Sequence, residues 1–86
     1  MNIYVGNLDF KVKENDLKQL FEDFGEVSSY KIITDKYNGI SKGFGFVTME
    51  NQDEAQTAID KLNGSNFQTR DIVVNEARPK KKSFYN

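Results

Sequence analysis

The side chains of this sequence best suited to chemistry are three aromatic residues in two short apolar segments. Tyr4 lies in Ile3–Leu8, and Phe44 and Phe46 lie in Gly43–Met49, in each case beside small or aliphatic residues. Successive side chains of a strand point to opposite faces, so the aliphatic residues can turn inward while the rings turn outward. An exposed ring can stack on an unpaired nucleobase, which is worth about 1–3 kcal/mol per base. The spacing therefore predicts a surface on which unpaired bases can stack.

The composition excludes most catalytic chemistry. The 86 residues contain no cysteine and no histidine, so thiol nucleophiles, histidine bases and the usual zinc ligands are absent. A chain of this length is expected to form one domain with a small core and to need no cofactor. The apolar runs are only a few residues long, so we expect neither a membrane span nor a signal peptide. A cytoplasmic location is the resulting expectation.

The formal net charge of −1 comes from 12 basic and 13 acidic residues that are distributed differently along the chain. Most of the acids lie around two predicted helices. The basic residues Lys31, Lys42, Arg78 and Lys80–Lys82 lie instead in or after predicted strands. A weak overall charge gives weak long-range attraction to a polyanion. Recognition of such a partner would therefore depend on the aromatic face.

Two segments have the spacing of amphipathic helices. In Glu14–Phe24 the apolar residues recur every three or four positions, and Gly25 follows where a left-handed C-terminal cap would lie. Lys13 occupies the N-cap position, where Ser, Thr or Asp is usual. The second helix begins after Asn51, a good capping residue, and ends before Gly64. The apolar faces predicted to join the core consist of Leu17, Leu20, Phe21, Phe24, Ala55, Ala58, Ile59 and Leu62.

Four segments are predicted to be strands: Ile3–Leu8, Val27–Thr34, Gly43–Met49 and Ile72–Ala77. An Asn38-Gly39 turn joins the middle pair. The order β-α-β-β-α-β predicts an α+β fold, the ferredoxin-like split βαβ sandwich, with a four-stranded antiparallel sheet and two helices on one face. The first and third strands lie side by side in its middle, so the three rings should cluster on the open face. Phe10 and Phe67 are expected to pack at the edge of the core.

Both aromatic segments resemble signature motifs of one known family. The RNP1 octamer of the RNA recognition motif (RRM) is similar to Lys42-Gly43-Phe44-Gly45-Phe46-Val47-Thr48-Met49, and the RNP2 hexamer is similar to Ile3-Tyr4-Val5-Gly6-Asn7-Leu8. The octamer departs from the family only at Met49, an inward position where Phe or Tyr is usual and a flexible thioether can fill the space. The resemblance covers residues 1–79, and the closing run Ile72–Pro79 is similar to that of small stand-alone bacterial RRM proteins.

The resemblance implies a role for each ring and for one lysine. Tyr4 and Phe46 would each stack a base, and Phe44 would pack against the sugars that link them. Lys42 would contact a phosphate as a point charge.

Further candidates come from outward positions on the two outer strands. On the second strand Tyr30 and Ile32 are expected to turn inward, which turns their neighbours outward. On the fourth strand an amide can donate to and accept from a base edge, and an arginine can stack on a base or hold a phosphate. These additional candidates for RNA contact are Lys31, Ile33, Asn75, Arg78 and, at the first strand, Asn2.

The expected protein is therefore a monomer that binds single-stranded RNA, with single-stranded DNA as an open alternative. Residues 1–79 would form the domain, and residues 80–86 a mobile basic and aromatic tail that contacts RNA or folds onto the sheet. The main competing function is that of a protein-interaction module with an RRM fold, although such modules usually lose the aromatics that are intact here. An enzyme resembling the acylphosphatases would need an arginine in the loop Asn7–Lys11, which has none, so no catalysis is expected.

Overall fold

A four-stranded antiparallel sheet with two helices on one face forms the protein, as the sequence predicts. The computed structural model describes residues 1–77, so Arg78 and the predicted tail lie outside the described residues. The elements are β1 (Asn2–Gly6), α1 (Glu14–Glu22), β2 (Ser29–Thr34), β3 (Ser41–Thr48), α2 (Gln52–Leu62), β4 (Asn66–Phe67), β5 (Arg70–Asp71) and β6 (Val73–Glu76). The sheet order is β2-β3-β1-β6, and β4 and β5 form a separate two-stranded hairpin.

The core lies between the sheet and the helices. Each central strand contributes alternate residues, and each helix contributes its apolar face, while no charged or polar side chain is buried within residues 1–77. Leu20, Phe24 and Phe67 pack against the core and are partly buried. The buried set is Ile3, Val5, Leu8, Val12, Leu17, Phe21, Ile32, Val47, Met49, Ala55, Ala58, Ile59, Leu62, Ile72 and Val74.

The helix ends follow the capping residues closely, with one exception. Asn51 Oδ1 accepts a hydrogen bond from the Glu54 amide at 2.9 Å at the start of α2, and Gly64 follows its end with a φ of 82°. At α1 the predicted left-handed cap at Gly25 is wrong, because the helix ends at Glu22 and Gly25 has no positive φ. Gly25 instead makes room for the carboxylate of Glu54, with which a Cβ at this position would overlap.

The strands differ from their predicted limits, and one hairpin was not predicted. β2 begins at Ser29 instead of Val27, and β6 spans Val73–Glu76. The hairpin of β4 and β5 has only two residues in each strand. Two residues are too few to show the alternating pattern by which strands are recognised in a sequence.

Neither α1, with 9 residues, nor α2, with 11, is long and apolar enough to cross a membrane, and these are the helices of the described part of the chain.

A tight approach of backbone to backbone occurs at Gly45 on β3. A Cβ at this position would overlap the carbonyl oxygen of Lys31 and lie 3.2 Å from Cα of Ile32 on the neighbouring strand. We predict that Gly45→Ala lowers the free energy of unfolding by about 1–3 kcal/mol, because the strands must move apart. Urea unfolding measures this loss. Lys42→Ala, an exposed position on the same strand, is the control and should change stability by less than about 0.5 kcal/mol. Equal stability of the two variants would contradict the prediction.

Candidate nucleic-acid interface

One row of side chains crosses all four strands of the open face. Lys31 on β2 lies opposite Phe46 on β3, Phe46 lies opposite Tyr4 on β1, and Tyr4 lies opposite Asn75 on β6. Directly opposed residues of antiparallel strands project to the same side, with Cβ atoms about 4.5–5.5 Å apart. Four of the candidates named from the sequence therefore form a continuous line with a cation at one end and an amide at the other.

The three predicted rings form one cluster on this face. The ring centroid of Tyr4 lies 6.0 Å from that of Phe44 and 5.9 Å from that of Phe46, and the two phenylalanines are 6.2 Å apart. The two phenylalanine rings are nearly perpendicular, at 89°, an edge-to-face arrangement that aromatic pairs favour. Phe46 is 37% exposed, while Tyr4 and Phe44 are half-buried by their neighbours. The cluster thus supports its rings from the side while part of its surface stays open to solvent.

The absence of a side chain at Gly6 leaves room for the ring of Tyr4. A Cβ at Gly6 would overlap the Tyr4 hydroxyl and lie 2.8 Å from ring atoms Cε2 and Cζ. The tyrosine ring therefore lies along β1 over the glycine two residues later. Sequence reasoning did not assign a role to Gly6, although an aromatic residue followed two positions later by glycine is a visible signal.

The remaining candidates surround this row. Lys42 is exposed on β3, and Ile33 is half-buried on β2. Asn2 is exposed, and its side-chain oxygen accepts a hydrogen bond from the Thr48 hydroxyl at 2.9 Å, which leaves its amide nitrogen available. Arg78 lies outside the described residues.

The open face carries positive charge and no acidic side chain within residues 1–77. Its two charged residues are Lys31 and Lys42, and the other outward positions are aromatic, aliphatic, small or uncharged polar. Such a surface attracts a phosphate locally even though the net charge of the chain is −1.

Tyr30 lies on the helix side of the sheet, as expected, but is not part of the core. Its ring is 38% exposed, because β2 is an edge strand that α1 covers only in part. The ammonium group of Lys18 on α1 lies 5.6 Å from its centroid, within the range of a cation–π contact.

The loop after β1 is joined to the β4–β5 hairpin by a network that the sequence did not reveal. Asn7 Nδ2 donates to the carbonyl of Asp71 at 2.7 Å, Arg70 Nη1 donates to Asn7 Oδ1 at 3.2 Å, and the Thr69 hydroxyl donates to the Asp9 carboxylate. The hydrogen bond from Thr69 and a second from the Lys11 amide hold the pKa of Asp9 below its usual range, and the charges of Lys11 and Arg70 act in the same direction.

Phe10, in the same loop, was expected to pack at the edge of the core, and this prediction is wrong. Its side chain is 59% exposed, and the guanidinium carbon of Arg70 lies 5.6 Å from its ring centroid. The ring lies at the end of the sheet beside Gly43 and Arg70, and not between the sheet and the helices. By contrast, Phe67 packs against the core as expected.

The open face of the sheet thus presents a cluster of three rings on which flat ligands can stack. The model of the RNA recognition motif family matches residues 3–73. The chain therefore belongs to the RNA recognition motif family.

Individual relatives agree with this assignment. The chain is 42% identical over 80 residues to the "Putative RNA-binding protein RbpA" of Synechocystis, covering 93% of this chain and 79% of that protein. A crystal structure of RNA Binding Protein PG1 matches with a TM-score of 0.88 at 49% identity, over 93% of this chain and 99% of that one. A structure described as a Sxl-lethal protein/RNA complex matches with a TM-score of 0.88 at 30% identity, over 95% of this chain and 49% of that one.

The contact between Gly6 and Tyr4 generates a prediction about the ring cluster. A methyl group at Gly6 meets the far end of a flexible side chain, so Gly6→Ala should displace the tyrosine ring and leave the backbone in place. In NMR spectra we expect the Tyr4 ring protons to shift and their contacts with Phe44 to weaken, while the amide signals of the core strands change little. Unchanged Tyr4 ring signals would contradict this role of Gly6.

Proposed function

We propose that the protein binds single-stranded RNA on the open face of its sheet and performs no catalysis. The observation that carries the proposal is the row Lys31–Phe46–Tyr4–Asn75, which presents two rings between a cation and an amide. Membership of the RNA recognition motif family and relatives described as RNA-binding proteins support it. Unstacked bases are available in single strands and not in a duplex, which favours a single-stranded ligand.

Stacking supplies only part of the binding free energy. In this proposal Tyr4 and Phe46 each stack one base and Phe44 packs against the intervening sugars. Two stacks contribute about 2–6 kcal/mol, whereas a dissociation constant of 1 mM already corresponds to about 4 kcal/mol. Polar contacts must therefore supply the rest of a micromolar affinity, which corresponds to about 8 kcal/mol, and provide any sequence preference.

The polar and aliphatic candidates have distinct roles in this proposal. Lys31 and Lys42 each contact a phosphate, and Asn75 reads the edge of the base stacked on Tyr4. Ile33 on β2 and Asn2 on β1 contact the nucleotides beside the ring cluster, and Arg78, which follows β6 in the chain, stacks on a base or binds a phosphate. In this scheme Lys42–Met49 acts as RNP1 and Ile3–Leu8 as RNP2.

In this proposal residues 1–79 form the binding domain, which acts as a monomer in the cytoplasm, and residues 80–86 add basic charge. Single-stranded DNA would bind more weakly if contacts to the 2′-hydroxyl contribute, because that group is what distinguishes the two polymers. A main role in binding protein is less well supported, since all three rings are present and clustered on the open face.

The ring contacts can be tested by truncation. We predict that Phe46→Ala and Tyr4→Ala each weaken binding to randomised short RNAs by about 1–3 kcal/mol, because each removes one stacking surface. An NMR titration measures the affinity and shows which face is perturbed. The fold should persist in both variants, since these rings project away from the core.

Tyr30→Ala is a closely matched control. Its ring is 38% exposed, against 37% for Phe46, but it lies on the opposite side of the sheet. This variant should bind RNA as the wild type does. Wild-type affinity in both open-face variants would refute the stacking proposal.

The phosphate contacts predict a shallow dependence of affinity on salt. Each contact to single-stranded nucleic acid contributes about −0.7 to the slope of log K against log salt concentration. Lys31→Ala and Lys42→Ala should each flatten the slope by about that amount, whereas Lys61→Ala on α2 should leave it unchanged. Deleting residues 80–86 should flatten the slope more than it alters base preference. Equal loss of both would contradict this division of roles, and a wild-type slope near that of ten contacts, about −7, would show that the tail dominates binding.

A further inference from the structure

Phe10 is the most exposed phenylalanine within residues 1–77, at 59%, and it lies outside the ring cluster described above. It is located where β1 leaves the sheet and β3 enters it. The Leu8 amide donates to the carbonyl of Gly43 at 2.8 Å, and ring atom Cε1 of Phe10 lies 3.6 Å from where a Cβ of Gly43 would be. Lys42, the last basic residue of the open face, is next to Gly43 in the chain. Phe10 therefore lies directly beyond the end of the proposed RNA surface.

The ring is held in position by the loop that carries it. Arg70 lies over the ring at 5.6 Å and is itself anchored by its hydrogen bond to Asn7. Asp9, the residue before Phe10, accepts a hydrogen bond from the amide of Lys11, the residue after it. Asp9 also accepts one from the Thr69 hydroxyl, which ties the loop to the β4–β5 hairpin. A ring that is both exposed and positioned loses little conformational freedom on binding a ligand.

A cleft of about 260 Å³ lies beside Phe10, between the start of α1 and the β2–β3 hairpin. Phe10, Val12 and Ile32 provide apolar walls, and Lys13, Glu14 and Thr34 provide polar groups. Pockets for drug-sized ligands have volumes of about 300–1,000 Å³, so this cleft suits something smaller, such as a single base.

Several basic side chains are available to a phosphate at this end of the sheet. Five basic residues lie in the loops and strand ends around Phe10: Lys11, Lys13, Lys36, Lys42 and Arg70. Within residues 1–77 none of them forms an ion pair. The five nearby carboxylates, those of Asp9, Glu14, Asp16, Asp35 and Asp71, each accept a hydrogen bond from a backbone amide or side chain.

The connections at the opposite end of the sheet have the reverse character. The segments Glu22–Ser29 and Glu50–Glu54 contain six acidic residues and no lysine or arginine. They lie close together, because the Ser28 hydroxyl donates to the Glu50 carboxylate at 3.1 Å. Within residues 1–77, basic side chains are thus available to a phosphate at the end that carries Phe10 and not in these two connections.

We propose that Phe10 forms an additional nucleotide-binding site, in which the base of an RNA nucleotide leaving the sheet past Lys42 stacks on Phe10 at the mouth of the cleft. Arg70 and Lys11 hold the adjoining phosphate. This inference rests on the proposed RNA-binding function. It adds that the protein binds an RNA longer than the open face alone accommodates.

The test compares randomised RNAs of 4 and 8 nucleotides in NMR titrations of the wild type and of Phe10→Ala. We expect Phe10→Ala to weaken binding of the longer RNA by about 5- to 140-fold, the loss of one stacked base, and to change binding of the shorter RNA less than about twofold. Phe10→Tyr, which retains the ring, should bind both RNAs as the wild type does. Tyr37→Ala, which removes a 97% exposed ring from the neighbouring hairpin loop, is the matched control and should also behave as the wild type.

The outcomes separate this inference from the proposed function. If the wild type binds neither RNA, the proposed function fails and the inference with it. If the wild type binds both but Phe10→Ala binds the longer RNA equally well, or loses both RNAs to the same extent, the additional site is refuted and binding on the open face stands. Phe10→Leu tests whether the loss comes from a disturbed loop. Leucine keeps an apolar contact with Arg70 but has no aromatic face, so this variant should show the same selective loss of the longer RNA.

Discussion

Burial of only one face of the sheet is the constraint on which the rest of this structure depends. Ile3, Val5 and Val47 are completely buried beneath the helices. Because side chains alternate along a strand, their neighbours Tyr4 and Phe46 must face solvent. A shift of one residue in the pairing of β1 with β3 would exchange the two sets, exposing the aliphatic residues and burying the rings. The hydrophobic stability of the core and the position of the aromatic face are therefore consequences of the same register.

The parts of the molecule governed by this alternation were predictable from the sequence. The order of the elements, the central place of β1 and β3 and the outward direction of Lys31 and Asn75 all follow from strand periodicity and crossover topology. The start of α2 was predictable for an equally local reason, because the side chain of Asn51 accepts a hydrogen bond from the amide three residues later.

The errors arise where contacts between distant segments decide the outcome. The sequence predicts a helix cap at Gly25, but the small size of this residue instead makes room for a carboxylate from α2 that is 29 positions away in the chain. Phe10 is expected to pack at the edge of the core, and nothing nearby in the sequence shows that its ring lies against Arg70, 60 positions later. Tyr30 projects to the predicted face of the sheet, but it lies on an edge strand. How much of that strand α1 covers depends on the packing of the helix. Local patterns do not contain such information.

Electrostatics and rigidity together explain how a chain of charge −1 can present a surface to a polyanion. At a Debye length of about 8 Å in physiological salt, a phosphate responds to the charges near it and not to the distant sum. The open face offers it Lys31 and Lys42, while the acids of the α1–β2 and β3–α2 connections lie at the far end of the sheet. Because long-range attraction is weak, the affinity for RNA depends more on the geometry of the direct contacts. The edge-to-face ring cluster and the hydrogen-bonded loop around Asp9 favour such contacts, because side chains that are held in place in the free protein lose less entropy when a ligand binds.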